Sequence, residues 1–480
     1  MNDSKTYDLI IIGGGVSASF LCLSLLKKSP NHKILVIEKA EKFGPKLGES
    51  IVEISAVFIQ RLGIEDLVKK QAIKSGLRFH WYGDEGVDKI SEFVSPTMPG
   101  KVYGYHLNRQ ILDEDLLQLI QEKGVDVIRP GEIIDYQKSD YQNNLKVRTS
   151  SQDLSVSSPW VVDATGRTLF TSNLFSLPYD EVNLKTSVVY TYITDPFTNN
   201  GWDNPNGQWP TEARNTADYA TIHFMRDHEW WWVIKLNENT MSLGMVLDKE
   251  YHKNIDEKSH FKWRLENDEQ IKKLAAGSKI GDLKQLNQLT YRANELTYKG
   301  LILLGDSGMF IDPLAGPGME ITCQQIMWIS ENLAKEKATG KRVSWCKYEK
   351  KFKRSFKSRE ASYKAGYEFM KSFSVFTSWL RNGNYVYFGW VLYPALFSYK
   401  RLKEPLQFNW VEWILFKYFA KRYKSIVKKE KAIKKHHQIK FSRVGTPKGI
   451  RFWFKPIHLL ILAGADYVNL ELKQLFKSKK

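Results

Sequence analysis

Apolar runs and glycine turns alternate along the first part of the chain. Residues 9–12 and 34–37 are continuous aliphatic runs, which are typical of parallel strands buried on both faces of a sheet. A glycine turn lies between them and is followed by helical apolar spacing over 19–28. Strand-like runs at 161–163 and 301–304 each lead into another glycine turn. This pattern predicts an α/β fold built on a doubly wound parallel sheet.

The pattern changes after residue 180. Residues 188–247 alternate in places and are rich in Tyr, Thr, Trp and Val, which predicts an antiparallel sheet with one solvated face. Residues 319–335 have helical spacing. From residue 341 onward the chain is predicted to be helical, with breaks near Pro394, Pro405, Pro447 and Pro456. The expected fold is therefore mixed α/β with a C-terminal helical region.

Charge divides the chain of 480 residues into two unequal parts. Lys and Arg number 71 against 53 Asp and Glu, a net charge of +18. Residues 341–480 contain 33 basic and 8 acidic residues, whereas the first 340 contain 38 basic and 45 acidic ones. A mildly acidic body thus precedes a strongly basic tail, and any electrostatic argument about partners concerns the tail alone.

Three cysteines, Cys22, Cys323 and Cys346, lie far apart in the sequence. This sparse, odd-numbered set predicts neither disulfides nor a metal site and fits a reducing compartment. No signal peptide is predicted, because the first apolar run continues into the glycine turn. The uncharged stretch Asn382–Tyr399 is 18 residues long, contains Pro394 and is short for a spanning helix. We expect a cytoplasmic protein with, at most, peripheral membrane contact.

The first glycine turn carries the motif Gly13-x-Gly15-x-x-Ala18, and the next strand ends at Glu38. The first glycine permits a tight turn, the second lets the backbone approach a pyrophosphate, and the small third residue lets helix and strand pack. The helix N-terminus attracts the phosphate, and Glu38 can accept hydrogen bonds from ribose hydroxyls. The complete strand–turn–helix–strand–acid context predicts a dinucleotide cofactor.

Two later segments favour a flavin over a nicotinamide. Residues 161–167 (VVDATGR) and 304–313 (LGDSGMFIDP) resemble recurring segments of FAD-dependent monooxygenases, halogenases and reductases. In that resemblance Asp306 would bind the ribityl or pyrophosphate side of FAD. The amides of Gly318 and Met319 would lie near the flavin pyrimidine ring.

Three further segments resemble flavin-dependent halogenases. Residues 43–50 (FGPKLGES) are similar to the Gly-Glu-Ser segment of that family, and 74–81 (KSGLRFHW) to the segment that begins with its catalytic lysine. Residues 229–235 (EWWWVIK) resemble its Trp-x-Trp-x-Ile-Pro motif. Together with the flavin segments, the resemblance spans most of residues 7–335 and says little about the tail.

The resemblance implies a role for each motif. In these enzymes reduced FAD, oxygen and a halide give hypohalous acid, which travels through a tunnel to a substrate that never touches the flavin. Lys74 would aim the oxidant, either as an ammonium that hydrogen-bonds it or by forming a haloamine. Trp230 and Trp232 would keep the substrate away from the flavin, and Pro317 and Gly318 would contact the chloride or bromide ion.

The same resemblance implies the cofactor-binding residues, Arg109 among them because residues 106–109 are similar to a stretch that places an arginine on FAD. They are Gly13, Gly15, Val16, Ala18, Glu38, Lys39, Gly48, Ser50, Arg109, Asp306, Gly318 and Met319. The sequence has no second glycine fingerprint for a nicotinamide. A separate flavin reductase is therefore expected to supply reduced FAD.

Three positions depart from the halogenase pattern. Lys235 replaces the proline of the tryptophan motif, and Gly316 stands where the family usually has a serine beside the halide. Ala315 stands where the tryptophan halogenases have a catalytic glutamate. An electron-rich phenol or pyrrole needs less activation than tryptophan, so a phenol/pyrrole-type halogenase is expected.

Two alternatives stay open on the sequence alone. Gly316 is compatible with a flavin monooxygenase or a double-bond reductase acting on a hydrophobic substrate. An alternative of another class is a non-catalytic protein that keeps FAD structurally and binds a membrane or a carrier protein.

The basic tail offers an interaction surface. Lysines and arginines between Lys421 and Lys435 follow Trp410, Trp413 and Phe416. Such a surface fits an acidic partner, such as an acyl carrier protein that holds an aromatic group, or an anionic membrane surface from which a lipophilic substrate is drawn. It also fits a solvated helical face whose aromatic residues pack on the body. Nothing else in the chain resembles a nucleic-acid-binding module, so nucleic acid is not an expected partner.

These inferences give the expected organisation of the chain. Residues 1–180 form the first part of an FAD-binding, Rossmann-like domain and 291–340 its final part. Residues 181–290 form an interleaved antiparallel substrate sheet, and 341–480 form the basic, aromatic helical region.

Overall fold

The computed structural model describes most of the chain, with short gaps. The described residues are 5–74, 76–82, 88–94, 102–194, 220–237, 239–268, 271–272, 275–432, 441–444 and 464–472. The predicted mixed α/β architecture is confirmed, because parallel and antiparallel sheets pack with helices around a shared apolar core.

A six-stranded sheet, parallel except at one edge, forms the centre of the nucleotide-binding region. Its central strands are apolar and fully buried, as the continuous aliphatic runs predict. The strands in spatial order are β21 (Thr297–Tyr298), β22 (Leu301–Leu303), β13 (Val161–Asp163), β2 (Leu9–Ile12), β3 (Ile34–Ile37) and β9 (Asp126–Ile128). The two glycine turns after β2 and β22 lie at the carboxyl edge of this sheet, where ligands of such folds bind.

Helices cover this sheet and bring distant parts of the sequence together. Helix α1 (Val16–Leu26) packs against α4 (Arg109–Glu122) and α7 (Gly318–Thr339). Other helices that the structure describes before α7 include α2 (Glu53–Leu62), α3 (Glu65–Lys69), α5 (Phe170–Leu174) and α6 (Glu257–Asn267).

A nine-stranded sheet forms the second layer. The strands that run along it are β18 (Lys279–Ile280), β14 (Thr186–Thr194), β17 (Thr240–Asp248), β16 (Glu229–Asn237), β15 (Ala220–Arg226), β6 (Gly76–Tyr82), β7 (Asp88–Val94) and β24 (Phe441–Val444), with β19 (Lys284–Leu286) paired to β14. Two of these strands, β6 and β7, come from within residues 1–180. The sheet therefore joins the segment that follows Lys74 to the tryptophan strand β16 through β15.

The two faces of β16 pack in different surroundings. Trp231 is buried against Phe261 of α6, with ring centroids 4.5 Å apart. Trp230 and Trp232 point to the other face, towards the main core. A Cβ at Gly244 of the neighbouring strand would lie 2.1 Å from the Trp232 ring, so only glycine leaves room for this indole. The strand alternation thus fixes the side on which each indole lies.

The remaining strands form small sheets at the edges. They are β1 (Lys5–Thr6), β12 (Asp153–Ser158), β11 (Gln142–Arg148) and β10 (Glu132–Ser139) in one sheet, β4 (Ser50–Ile51), β8 (Gly104–His106) and β5 (Ala72–Lys74) in a second, and β20 (Tyr291–Arg292) and β23 (Met309–Phe310) in a third.

The described part of the C-terminal region is mostly helical, as predicted, although Phe441–Val444 form the strand β24. Its helices are α8 (Cys346–Phe369), α9 (Phe373–Val386), α10 (Tyr393–Phe397), α11 (Tyr399–Leu402), α12 (Trp410–Ala432) and a final helix over 464–472. A π-helical turn, Tyr387–Leu392, connects α9 and α10. Of the helices that the structure describes, none combines the length and apolarity that crossing a bilayer requires.

Candidate active site

The glycine turn after β2 has the geometry that a dinucleotide motif requires. Gly13 has φ +95°, and a Cβ there would lie 2.7 Å from the carbonyl oxygen of Ala164. Its amide donates to the carbonyl of Ile37 at 2.8 Å. Gly15 precedes Val16 at the start of α1 and offers no side-chain acceptor, so the first amides of α1 can donate to a ligand phosphate.

Glu38 is held beside this turn by two main-chain amides. One carboxylate oxygen accepts from Gly14 at 2.7 Å and the other accepts from Ala40 at 2.7 Å. This orientation directs the buried carboxylate to the mouth of the turn, where ribose hydroxyls would lie. The next residue, Lys39, is exposed and pairs with Glu132 at 2.9 Å, and its contact with the cofactor stays a prediction.

Arg109 joins the Gly-Glu-Ser loop to α4. Its Nε and Nη2 donate to the Asp113 carboxylate at 2.8 and 2.9 Å, and its Nη1 donates to the Leu47 carbonyl at 3.2 Å. Gly48 has φ +98°, and a Cβ there would lie 2.9 Å from that Nη1. The buried guanidinium therefore holds the loop over the cofactor turn.

Asp306 lies in a short helical turn after β22, at the same edge of the sheet as Gly13. Burial raises the pKa of Asp306 to about 6, while the positive charges of Arg167 and Arg109 act in the opposite direction. Gly305 has φ +64°, which brings this turn against α7. A carboxyl group here can exchange hydrogen bonds with the hydroxyls of a ribityl chain.

A directional chain of hydrogen bonds begins at Ser50. Burial, together with repulsion by Lys74, lowers the pKa of His106 to about 3, so this imidazole is neutral. Its Nδ1 contacts the Lys235 carbonyl at 3.1 Å and must donate there, which leaves Nε2 to accept from Thr221 at 2.9 Å. Because the Thr221 proton is then committed, the Ser50 hydroxyl donates to Thr221 at 3.0 Å.

Lys74 ends strand β5 and is only 3% exposed. Burial lowers the pKa of Lys74 to about 8, although attraction by Glu53 opposes the shift. A Cβ at Gly104 would lie 3.3 Å from Cδ of Lys74, so the glycine leaves space for the lysine stem. A buried amine with a depressed pKa, facing a cavity, is a common property of functional lysines.

A cavity of about 330 Å³ lies beside Lys74. Five charged residues line it: Glu53, Lys74, Glu320, Arg359 and Glu412. Most of its other walls are apolar and come from the C-terminal helices: Tyr363, Phe369, Trp379, Val391, Phe416 and Phe419. Its size and lining suit a small aromatic molecule.

The segment before α7 closes one end of this cavity. Ala315 and Pro317 line it, and Gly316 between them has φ +64°, a left-handed conformation that favours glycine. A Cβ at Gly318 would meet no atom within 4 Å, so there is space beside the first amides of α7, including that of Met319. The glycine at position 316, where the family usually has a serine, thus suits the left-handed backbone conformation found there.

Trp230 and Trp232 are buried in the core beside the cavity and are not among the residues that line it. The Trp230 indole donates to the Tyr367 hydroxyl at 2.7 Å, and Tyr367 donates to the Asp312 carboxylate at 2.8 Å. The Trp232 indole donates to Ser242 at 3.1 Å. These bonds fix both rings rigidly, and a role in keeping substrate from the flavin stays a prediction.

Comparison with known proteins places this site in a family. The family model described as tryptophan halogenase matches residues 8–98 and 93–369, about three quarters of the chain. The chain therefore belongs to the tryptophan halogenase family. The predicted enzyme class and cofactor are confirmed: it is an FAD-dependent oxidoreductase of the flavin-dependent halogenase type.

Individual relatives and solved structures agree with this family. A 1H-pyrrole-2-carbonyl-[peptidyl-carrier protein] chlorinase of Pseudomonas fluorescens is 23% identical over 337 residues, which cover 66% of this chain and 73% of that protein. The flavin-dependent halogenase chlA of Dictyostelium discoideum is 25% identical over 366 residues, 68% and 60% of the two chains. The fold matches halogenase PltM, solved with phloroglucinol and FAD, with a TM-score of 0.77 over 98% of this chain and 96% of that one at 16% identity.

The structure also brings in residues that the sequence motifs did not indicate. Glu53, Tyr387 and the Glu320–Arg359 ion pair (2.7 Å) all line the cavity. Glu53 was accessible to sequence reasoning, because it lies three residues after Ser50 of the Gly-Glu-Ser segment. No sequence motif marks Tyr387 or Arg359 as a site residue, since only the packing of the C-terminal helices brings them to the cavity.

Proposed function

We propose that this enzyme halogenates an electron-rich phenol or pyrrole that occupies the cavity beside Lys74. The observation that carries the proposal is the position of Lys74. Its buried amine faces a mainly apolar cavity that is large enough for an aromatic ring and is also lined by the residues just before α7. Ala315 lines this cavity where a base for a less reactive ring would be expected, which favours substrates that are already electron-rich.

The residues at the edge of the parallel sheet fit FAD. The space that Gly13 and Gly48 leave, the amides of α1 and the carboxyl groups of Glu38 and Asp306 together suit a dinucleotide. Reduced FAD, supplied by a separate flavin reductase, provides with oxygen the oxidising power that converts halide to hypohalous acid. The amides of Gly318 and Met319 would hold the flavin ring, and Pro317 and Gly318 would contact the halide.

The chain's own residues then direct the oxidant. The Lys74 ammonium donates a hydrogen bond to the oxygen of hypohalous acid and makes that oxygen a better leaving group when the ring carbon attacks the halogen. The apolar cavity walls exclude water, which would otherwise compete for the oxidant. The indoles of Trp230 and Trp232 fill the core beside this route.

Helix α12 gives the substrate route a charged outer surface. Leu415, Phe416 and Phe419 line the cavity on one face of the helix, whereas Trp410 and Ile414 are exposed on the other. The exposed lysines and arginines of this helix would attract an acidic carrier protein that holds the aromatic group. The carrier-linked substrates named for pyrrole-type relatives support this arrangement.

The proposal is tested with purified enzyme, FAD, a flavin reductase, oxygen and bromide or chloride. Phenols and pyrroles, each as the free compound and as an acyl carrier protein thioester, are followed by mass spectrometry. We expect halogenated product from at least one ring class, and a higher rate for the carrier-bound form at low salt. Hydroxylated or reduced product, or peroxide alone at every halide concentration, would support the monooxygenase or reductase alternative instead.

The pH dependence distinguishes the two possible states of Lys74. Because burial lowers its pKa to about 8, the ammonium form predominates below that pH and the neutral amine above it. We expect the halogenated product formed per reduced FAD to fall as pH rises through about 8. FAD binding is measured at each pH as the control. A yield that rises through the same range would indicate a haloamine, which only the neutral amine can form.

A further inference from the structure

We propose that Glu53 accepts a hydrogen bond from the hydroxyl group or ring N–H of the aromatic substrate and so activates and orients the ring towards Lys74. This inference rests on the proposed function and adds the substrate-binding group. It also restricts the substrate class to aromatics that carry a hydrogen-bond donor.

Glu53 is placed where such a group would be needed. It is the first residue of α2, it is 6% exposed, and its side chain lines the same cavity as Lys74. The two groups are close enough for attraction by Glu53 to oppose the lowering of the pKa of Lys74. The N-terminal position on α2 favours a negative charge on this carboxylate.

Tyr387 fixes the orientation of Glu53. The amide of Ile54 donates to the Tyr387 hydroxyl at 3.1 Å, and that hydroxyl donates to Oε2 of Glu53 at 3.0 Å. Tyr387 is the first residue of the π-helical turn and itself lines the cavity. The phenol group of Tyr387 is therefore held against the carboxylate in the way that a bound phenol would be.

Another carboxylate that lines the cavity, that of Glu320, is paired with a cation. Glu320 Oε1 accepts from the Arg359 guanidinium at 2.7 Å, and the amide of Gln324 also contacts it at 3.3 Å. This charge pair makes Glu320 a weaker acceptor for a neutral hydroxyl. Glu53 accepts from the Tyr387 hydroxyl and is close enough to Lys74 to affect the pKa of that amine.

The reaction that this arrangement serves is balanced as Ar–H + HOX → Ar–X + H₂O. A hydrogen bond from the substrate O–H or N–H to Glu53 pushes electron density into the ring. The ring carbon forms a bond to X while the X–O bond breaks, and the departing oxygen takes a proton from Lys74. The ring C–H proton then leaves, which restores aromaticity, and Lys74 regains a proton.

The test compares 2-naphthol with 2-methoxynaphthalene, in which methylation removes the O–H donor and adds one methyl group. The comparison between variants separates these two effects, because only the first depends on the Glu53 carboxylate. Binding of each to the FAD-loaded enzyme is measured by isothermal titration calorimetry, without reductase or halide. A hydrogen bond to a charged group favours 2-naphthol by about ten- to a hundredfold. We expect this preference in the unmodified enzyme, a reduced preference in Glu53→Gln and its near loss in Glu53→Ala.

Glu65→Gln is the matched control, because Glu65 is a glutamate at the start of the neighbouring helix α3 and does not line the cavity. It should keep the full preference. Circular dichroism and flavin content establish that each variant is folded, and Glu53→Gln preserves shape if Glu53→Ala does not fold. Equal binding of both ligands to the unmodified enzyme, or an unchanged preference in Glu53→Gln, would overturn the inference. Because no turnover is required, this result is separate from the outcome of the halogenation assay.

Discussion

Lys74→Met is expected to abolish halogenation and, at the same time, to increase the free energy of unfolding. Methionine fills the lysine stem's space but cannot donate to hypohalous acid, so product formation should fall by at least about a hundredfold. The gain in stability follows from burial, which lowers the pKa of Lys74 from its ordinary value of 10.5 to about 8. At neutral pH the folded protein therefore bears the cost of a buried charge, on the order of 2–3 kcal/mol.

The size of the stability effect changes predictably with pH. The unfolded chain holds the lysine proton more tightly than the folded protein, so the cost is fully present below about pH 8 and disappears as pH rises past 10.5. Urea unfolding of the two proteins should differ at pH 7 and converge near pH 10.5. Flavin content and peroxide formation show that the cofactor still functions in the variant. Retained halogenation, or lower stability at pH 7, would contradict the assigned role of Lys74.

Gly13→Ala is expected to remove FAD from the enzyme. The new methyl group would lie 2.7 Å from the carbonyl oxygen of Ala164 at a φ of +95°, so the turn between β2 and α1 must shift. A strained conformation together with this overlap should cost about 2–4 kcal/mol, and the displaced amides of α1 would lose their alignment with the pyrophosphate. FAD affinity, followed by flavin fluorescence, should fall by more than about a hundredfold.

Gly124→Ala separates conformational strain from the effect on the cofactor. Gly124 has φ +86°, similar to that of Gly13, but a Cβ there would meet no atom within 4 Å. This variant should lose about 1 kcal/mol of stability and retain FAD. If Gly13→Ala bound FAD as tightly as Gly124→Ala, the turn after β2 would not be the pyrophosphate site.

The nucleotide-binding half of the fold was predictable because its signals are local. One short segment contains strands β2 and β3, the turn at Gly13 and the carboxylate of Glu38. The conformation of each of these elements limits where the next one can lie. Placing both the loop at Gly48 and the guanidinium of Arg109 at the cofactor required the family resemblance, because the two residues are far apart in sequence. The ion pair between Lys39 and Glu132 could not be predicted, because the two residues are far apart in sequence.

The cavity was not predictable from the sequence. The stretch Asn382–Tyr399 is uncharged because much of it packs over the cavity, where Tyr387 and Val391 form part of the wall. Apolar composition alone cannot distinguish this role from membrane contact. Likewise, the spacing of Trp230 and Trp232 predicts that they share one face of a strand, but only the tertiary structure shows that this face packs on Tyr367 of α8.

The two faces of helix α12 link the substrate pocket to the exterior of the molecule. Phe416 and Phe419 shape the cavity, whereas Ile414 and Tyr418, on the same turns, meet solvent. The groups proposed to make the oxidant precede residue 340, and most of the apolar cavity wall follows it. The gene thus encodes most of the apolar wall separately from the cofactor residues, Lys74 and Glu53, so exchange of the tail alone would reshape the cavity while these groups stay in place.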